Sequence, residues 1–417
     1  MQNKISKIYS VLIIILPVLW AIKSPIKVLS MGEFLLLPVM LIEFGNIFFK
    51  QKKIRIPRGL LCFYFIPILC TVVASITSNW FSFAESLTVV SRIMYYFLLI
   101  LIAQKHFDLD FAVKFYMCLS ILLSSYLMAQ VITHFLFRVD LPILANYPNI
   151  LFGNAEYMST QQYYKLFSFR PASLFREPSW FADYICPIIA IILFGGELTK
   201  SIHNISWGRR LIYAFYLTTC VILSTSSLGI LYCSVIWSCF VFLSNNELEF
   251  KSFIKIEVTI TMIALVIFAL GSEVFSNSLN RLRSGSSIGP RLFRGLIIFS
   301  NVDLFHQFFG VGINNIGNFV LYRNIQTVFD ETDLNYTVTS TNRLIATGII
   351  GLSALIYFWI IQFNKQKRSI GKVLMLMMGI SFIFANGEYL YGFAFLFIII
   401  EGFYRKSVFD GISHFVA

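Results

Sequence analysis

The stretch FRPASLFREPSWFADYICPIIAIILFGG, residues 169–196, reads in two halves, and the seam between them decides the fold. Up to Pro178 it is a polar segment carrying Arg170, Arg176 and Glu177, stiffened by Pro171 and Pro178, since proline fixes φ. From Trp180 the chain is an apolar run of the length that crosses a bilayer, roughly 20 residues at 1.5 Å of rise each. In lipid, backbone polar groups must be satisfied within the segment, so such a run is an α-helix. Trp180 stands at the seam, and amphipathic indole rings settle where membrane meets water. The stretch therefore places two arginines and a carboxylate at a membrane edge.

Working outward, the alternation of apolar run and polar linker extends along the chain. Of 417 residues, 57% are hydrophobic, 17% aromatic and 13% charged, with mean hydropathy +0.75. Soluble domains carry about 25% charged residues, so most of this surface is solvated by lipid. Spans are expected near 8–23, 28–49, 59–79, 86–104, 111–136, 180–196, 211–226, 228–244, 256–272, 343–363, 372–386 and 389–404. The first run has no small-residue cleavage site and is expected to be a retained helix. The basic linkers Lys50/Lys52/Lys53/Arg55/Arg58, Arg209/Arg210 and Lys365/Lys367/Arg368/Lys372 are separated by even numbers of these crossings. They fall on one side, which the positive-inside rule makes cytoplasmic. The expectation is an all-α polytopic membrane protein with about 12 transmembrane helices. It forms a single transmembrane domain, 1–417, with both termini inside. Two long periplasmic loops, about 137–179 and 273–342, contain short helices. The net charge of +12 sits mostly in the short linkers, which argues for topology and against a nucleic-acid partner. The seven cysteines lie inside apolar runs without a CxxC pair, which suits buried thiols.

The outer loops choose arginine over lysine: Arg138, Arg170, Arg176, Arg281, Arg283, Arg291, Arg294 and Arg323, against Lys165. A guanidinium binds phosphate or carboxylate through a rigid fork that an ammonium lacks. The bland reading pairs these arginines with Asp303, Asp330, Glu331 and Asp333, or lays them on lipid headgroups. The stretch SSIGPRLFRGLIIF (286–299) reads as a helix start with Pro290 in its first turn. That places Arg291 and Arg294 on one face near a helix N-terminus that favours anions. Leu292, Leu296, Ile297 and Ile298 would let this helix lie along the membrane surface. Glu177, beside two arginines, is a structural partner or a catalytic base. Other charged motifs read more simply. Asp108-Leu-Asp110 is turn chemistry, STSS (224–227) is a tight helical hairpin, and DETD (330–333) is a solvated or arginine-paired turn. Glu33 and Arg92 inside spans form a structural pair, line a lipid path, or snorkel to an edge. His106, His134 and His203 offer no acyltransferase constellation.

The order of these segments is familiar. An R-P-x-S-x-F-x-E-P-S segment leads into a helix. An outer arginine then precedes GVGINN (310–315), and TGIIGL (347–352) gives a Gly-x-x-Gly-Leu helix start. This resembles the O-antigen polymerase and O-antigen ligase group of bacterial envelope glycosyltransferases, across most of the chain in architecture and over three short segments in sequence. The resemblance implies a GT-C-like helical fold in the inner membrane and an undecaprenyl-diphosphate-linked oligosaccharide as substrate. It implies no metal or other cofactor, and membrane lipids and a polysaccharide chain-length regulator as partners. The ligase pattern has a histidine about eleven residues before the first glycine of the Gly-x-x-Gly element. Here that position is Thr337, which favours polymerase over ligase. His306 lies before the GVGINN segment.

The chemistry points the same way. Outside the cell the energy must arrive with the substrate, as a sugar–diphosphate bond. Departure of an anionic lipid diphosphate needs preorganised positive charge, and the acceptor hydroxyl needs a base. The expected catalytic residues are Arg176, Arg291 and Glu177, with Glu177 as base. Arg170, Arg294, Arg281, Arg283 and His306 are the expected substrate-binding residues. A flippase of lipid-linked glycans is the rival from another class. It would place its cations along a central cavity, whereas this chain places them in long outer loops.

Overall fold

The computed structural model describes residues 2–26, 29–49, 56–143, 169–243, 288–326, 337–385 and 391–416. The helices, numbered in chain order, are α1 (Gln2–Leu19), α2 (Met31–Phe49), α3 (Arg58–Thr77), α4 (Phe83–His106) and α5 (Leu109–Ile132). After α5 comes a π-turn, Thr133–Phe137. Then follow α6 (Pro178–Phe194), α7 (Lys200–His203), α8 (Trp207–Leu223), α9 (Ser227–Leu243), α10 (Ile288–Ser300), α11 (Leu304–Phe309) and α12 (Ile316–Tyr322). The last are α13 (Thr339–Lys365), α14 (Ser369–Phe384) and α15 (Tyr391–Val416). Among the described residues there is no strand beyond an isolated backbone bridge between Lys23 and Ser30.

The protein is a helical membrane protein. Among the described residues, Arg58–Thr77, Phe83–His106, Leu109–Phe137, Pro178–Glu197 and Thr339–Lys365 are long and apolar enough to cross a bilayer. Ser227–Phe242 and Ser369–Phe384 are shorter apolar helices. The expected span 256–272 lies outside the described residues.

α6 is the most enclosed helix, with Ile185 to Leu193 all buried. α15 runs beside it and also touches α1, α4, α5 and α14. Tyrosine hydroxyls in such a core need an acceptor, and here they find helix carbonyls. Tyr9 donates to Leu99 O at 2.8 Å, Tyr184 to Ile14 O at 3.1 Å, and Tyr116 to Tyr184 O.

One end of the bundle is tied by charge. Lys365 meets Glu401 at 2.6 Å, Arg368 meets Glu197 at 3.1 Å, and Lys406 pairs with Asp110. Asp108 caps α5 by accepting the Phe111 N–H, and Asp110 accepts that of Lys200, so the DxD is turn chemistry as read. Arg210 donates to Ile192 O and Leu193 O. The basic linkers around Arg210 and Arg368 therefore share this end, together with the start of α3, where Gly59 packs near Gln362. The polar segments 169–177 and 301–326 lie at the other end.

α13 is not continuous. Gly348, at φ 67° and ψ −170°, breaks it into a short arm and a long span. The TGIIGL element, expected as a helix start, is thus the point where a helix stops and restarts. The break is closed from outside. Val311 N–H donates to Ile345 O at 3.0 Å and Gly312 N–H to Ala346 O at 2.9 Å. Gly310 and Gly348 are the crossing points. A Cβ at Gly310 would sit 2.3 Å from Ala346 C, and one at Gly348 would sit 2.1 Å from Phe308 O. Both glycines also hold positive φ, which other L-residues reach only at a cost of about 1–2 kcal/mol.

The short arm carries Arg343, fully buried. Its Nη2 donates to Phe63 O at 3.1 Å, and its guanidinium lies 4.8 Å from the Phe63 ring centroid. Phe63 O is the carbonyl that residue 67 would normally bond, and residue 67 is a proline inside α3. Proline has no N–H to give, so the arginine supplies the missing donor. Arg343→Met should therefore cost about 1–3 kcal/mol, the penalty for an unsatisfied buried acceptor. Pro67→Ala, which restores an N–H, should recover part of that loss. Thermal unfolding of the purified variants in detergent checks this, and equal stability of Arg343→Met and the parent would refute the pairing.

Candidate functional site

Segment 169–177 is folded into the bundle. Gln130 on α5 holds it at both polar ends of its amide. Oε1 accepts from Ser173 N–H at 2.9 Å, and Nε2 donates to Ser173 O at 3.3 Å and to Pro142 O at 3.0 Å. Ser173 Oγ donates to Leu123 O at 2.6 Å. Leu123 is midway along α5, so the segment dips well below the tip of that helix. Non-helical backbone at such depth is tolerated when protein satisfies it, and Pro171, Ala172, Ser173 and Phe175 are all buried. The flanks are fastened as well. His134 stacks on Phe169 at 3.7 Å and bonds Asp140 at 2.6 Å, and Tyr126 donates to Pro142 O.

This lock delivers the expected residues to the rim. Arg170 and Arg176 are half-buried and Glu177 is exposed. Glu177 precedes α6 at the N-cap position without capping it, because its carboxylate instead accepts from Ser179 Oγ at 3.3 Å. Pro178 takes the first helical turn, where its missing N–H is harmless. Beside Glu177 stand Trp180, Trp20 and Tyr391, whose rings meet at 5.0, 4.8 and 6.3 Å. One turn deeper is Asp183, a carboxylate inside the span that interacts with Tyr232 of α9. Sequence reasoning passed over Asp183, although an acid in an apolar run is itself a signal.

The second polar group is built on α3 and α13. α10 spans the stretch expected to be helical, but Arg294 turns inward rather than to the surface. Arg294, Gly295 and Ile298 are buried, and a Cβ at Gly295 would collide with Thr341 of α13 at 2.4 Å. Phe293, Leu296 and Ile297 are exposed, the face that suits the membrane surface. Arg291 lies on the first turns of α10, while Arg281 and Arg283 lie outside the described residues. The bland reading holds in one place: Arg323 approaches Asp303 at 4.0 Å, both partly exposed. Asn315 pins the GVGINN segment. It accepts the Ser82 N–H at 2.6 Å and donates to Ser86 Oγ at 2.5 Å and Ile313 O at 3.0 Å.

His306 is buried at the same end. Its Nδ1 bonds the Asp303 carboxylate at 2.7 and 2.9 Å, and its Nε2 lies 2.9 Å from Ser78 Oγ and 3.2 Å from Thr77 Oγ1. Trp80 covers the ring at 5.1 Å. Desolvation alone would raise the Asp303 carboxyl. Bonds from the His306 backbone N–H and ring, with the histidine's charge, outweigh it and hold the group below the usual carboxylate value. Stability from this contact is therefore present above the unfolded carboxyl's range and is lost as pH falls through the lowered value.

Glu33 and Arg92 are structural. Glu33 and Ser30 form a reciprocal cap on α2, with Ser30 N–H to Glu33 Oε2 at 2.7 Å and Glu33 N–H to Ser30 Oγ at 3.3 Å. Tyr96 donates to Glu33 at 2.5 Å, and Arg92 stands 3.6 Å away, so the pair reading of Glu33 and Arg92 holds. At STSS, α8 ends and Thr225 turns with φ 59°. Ser226 Oγ then receives the Gly229 N–H, as a hairpin requires.

The two polar groups occupy one end of the bundle on different elements. Segment 169–177 rests on α5 and α6, and α10 to α12 rest on α3, α4 and α13. They approach one another through α14, whose C-cap carbonyl, Ala385 O, accepts both the N–H and the hydroxyl of Thr339. Gln130→Leu should free segment 169–177 and expose it to protease added to the detergent-solubilised protein. Cleavage there no faster than in the parent would show that the amide is not the lock. Compared with known proteins, the chain matches no family model, and no curated protein is significantly similar to it.

Proposed function

We propose that this protein is a glycosyltransferase of the bacterial inner membrane. It polymerises undecaprenyl-diphosphate-linked oligosaccharide units into O-antigen or a related surface polysaccharide at the periplasmic face. The growing glycan passes from one lipid carrier to the sugar of the next unit, and the lipid diphosphate departs. The observation that carries this reading is the burial of segment 169–177 in the bundle's outer end. It holds Arg170, Arg176 and Glu177 where the headgroup of a membrane-borne diphosphate would lie. In this scheme Arg176 and Arg291 stabilise the departing charge and Glu177 takes the acceptor proton. Arg170, Arg294, Arg281, Arg283 and His306 bind substrate, and no metal is required.

The architecture belongs to the same proposal: about 12 spans in a GT-C-like bundle, with both termini and the lysine-rich linkers cytoplasmic and the arginine-rich segments periplasmic. Membrane lipids and a chain-length regulator are the proposed partners.

Removing one preorganised donor from a charge-stabilising site costs about 10²- to 10³-fold in rate. Arg170→Gln, Arg176→Gln and Arg291→Gln should each abolish long polymer in a surface-polysaccharide gel while protein levels stay normal. Wild-type ladders from all three would overturn the clamp. In a deletion strain, loss of the ladder with one repeat still on the core supports a polymerase. Polymer accumulating on the lipid carrier indicates a ligase instead, and carrier trapped on the cytoplasmic face indicates a flippase.

A further inference from the structure

Ser78, His306 and Asp303 come from two segments 225 or more residues apart, and they meet at the polar outer end. Their hydrogen-bond roles can be assigned from their partners. Asp303, ionised, can only accept, so His306 Nδ1 carries a proton, and in the neutral form of the ring Nε2 then presents a lone pair. Thr77 spends its hydroxyl proton on Val73 O at 2.9 Å. The hydroxyl left to donate to Nε2 is that of Ser78, at 2.9 Å. This is the arrangement in which a carboxylate fixes an imidazole tautomer and the imidazole activates a serine. Trp80, packed on the imidazole, and the burial of His306 keep that ring in place, while Ser78 itself is partly exposed.

We propose that Ser78 is the nucleophile of a serine-dependent acyl-transfer site, with His306 as its base and Asp303 as the residue that orients it. The inference goes beyond the polymerase reading and does not depend on it. The substrate class is a carboxylic ester with an apolar chain, presented at the membrane surface, because Ile76, Leu304, Phe305 and Phe308, which flank the triad residues in the chain, are exposed. Ser78 Oγ attacks the carbonyl carbon as its proton passes to His306 Nε2. The tetrahedral oxyanion collapses, the ester C–O bond breaks, and the leaving alcohol takes the proton from Nε2. Acyl-Ser78 remains. Water, or a sugar hydroxyl, gives its proton to His306 and attacks the acyl carbon, releasing acid or new ester and restoring Ser78. The N–H groups of Asn79 and Trp80, which follow the nucleophile, hydrogen-bond to no described residue. They are available to the oxyanion, as donors next to a nucleophile commonly are.

The test uses the full chain in detergent micelles with a fluorophosphonate probe. The parent should be labelled, with the adduct mapped to Ser78, and Ser78→Ala should not be labelled. His306→Gln and Asp303→Asn should each label at least ten-fold more slowly. A medium-chain nitrophenyl ester should be hydrolysed by the parent and not by Ser78→Ala. An unlabelled parent, or equal labelling of parent and Ser78→Ala, overturns the proposal. Ser78→Cys guards against misfolding of the alanine variant. Its thiol should react with iodoacetamide several-fold faster than the thiol of Ser78→Cys/His306→Gln, and equal rates also overturn the proposal.

Discussion

The break in α13 at Gly348 is the constraint on which the polar end that carries segments 169–177 and 301–326 depends. A helix interrupted inside a membrane releases carbonyls that lipid cannot satisfy. The carbonyls of Ile345 and Ala346 are met by the backbone N–H groups of Val311 and Gly312. Because the donors are main-chain groups, the GVG strip must lie flat against the broken helix, and only glycine allows that approach at Gly310 and Gly348. Fixing this strip fixes what is attached to it. α11 is held with His306 aimed at the end of α3, and Asn315 is pressed into the start of α4.

The same rule governs the other irregular points. Pro67 leaves a carbonyl on α3 without a donor, and Arg343 covers it from the short arm of α13. Segment 169–177 brings irregular backbone down to the level of Leu123, and Gln130 and Ser173 satisfy it. α2 needs an N-cap inside the bundle and obtains one from Glu33 and Ser30. In each case a polar side chain inside the apolar envelope answers a specific backbone group. Buried polar groups without partners are expensive, so these residues are read first as repairs. Glu177, by contrast, is placed at the rim by such a repair and is exposed there.

Much of the scaffold was legible from the chain because lipid imposes a one-dimensional code. Length and apolarity place the five helices long enough to cross a bilayer to within a few residues: 59–79 became Arg58–Thr77, and 180–196 became Pro178–Glu197, whereas the first run, 8–23, became the earlier helix Gln2–Leu19. Turns with local chemistry, such as Asp108 capping α5, were legible for the same reason. What escaped depends on contacts between distant residues. Arg343 looked like the edge of a span, and only its position opposite Pro67 explains its burial. The inward turn of Arg294 follows from Gly295 packing on Thr341, which periodicity cannot reveal. His306 was legible as a polar residue of the substrate-binding set, but its contact with Ser78, 228 residues earlier, exists only in the fold.

These contacts also separate two kinds of polar residue at the polar end. Segment 169–177 brings its charges to the rim: Arg170 and Arg176 are half-buried, and Glu177 is exposed and accepts from Ser179. His306 is the opposite, with both ring nitrogens engaged, its ring covered by Trp80 and its tautomer set by Asp303. Such an imidazole is held to one orientation. The polar end therefore combines exposed charge on segment 169–177 with a fixed ring on α11. The closed break at Gly348, against which the chain following α11 is strapped, keeps that ring in place.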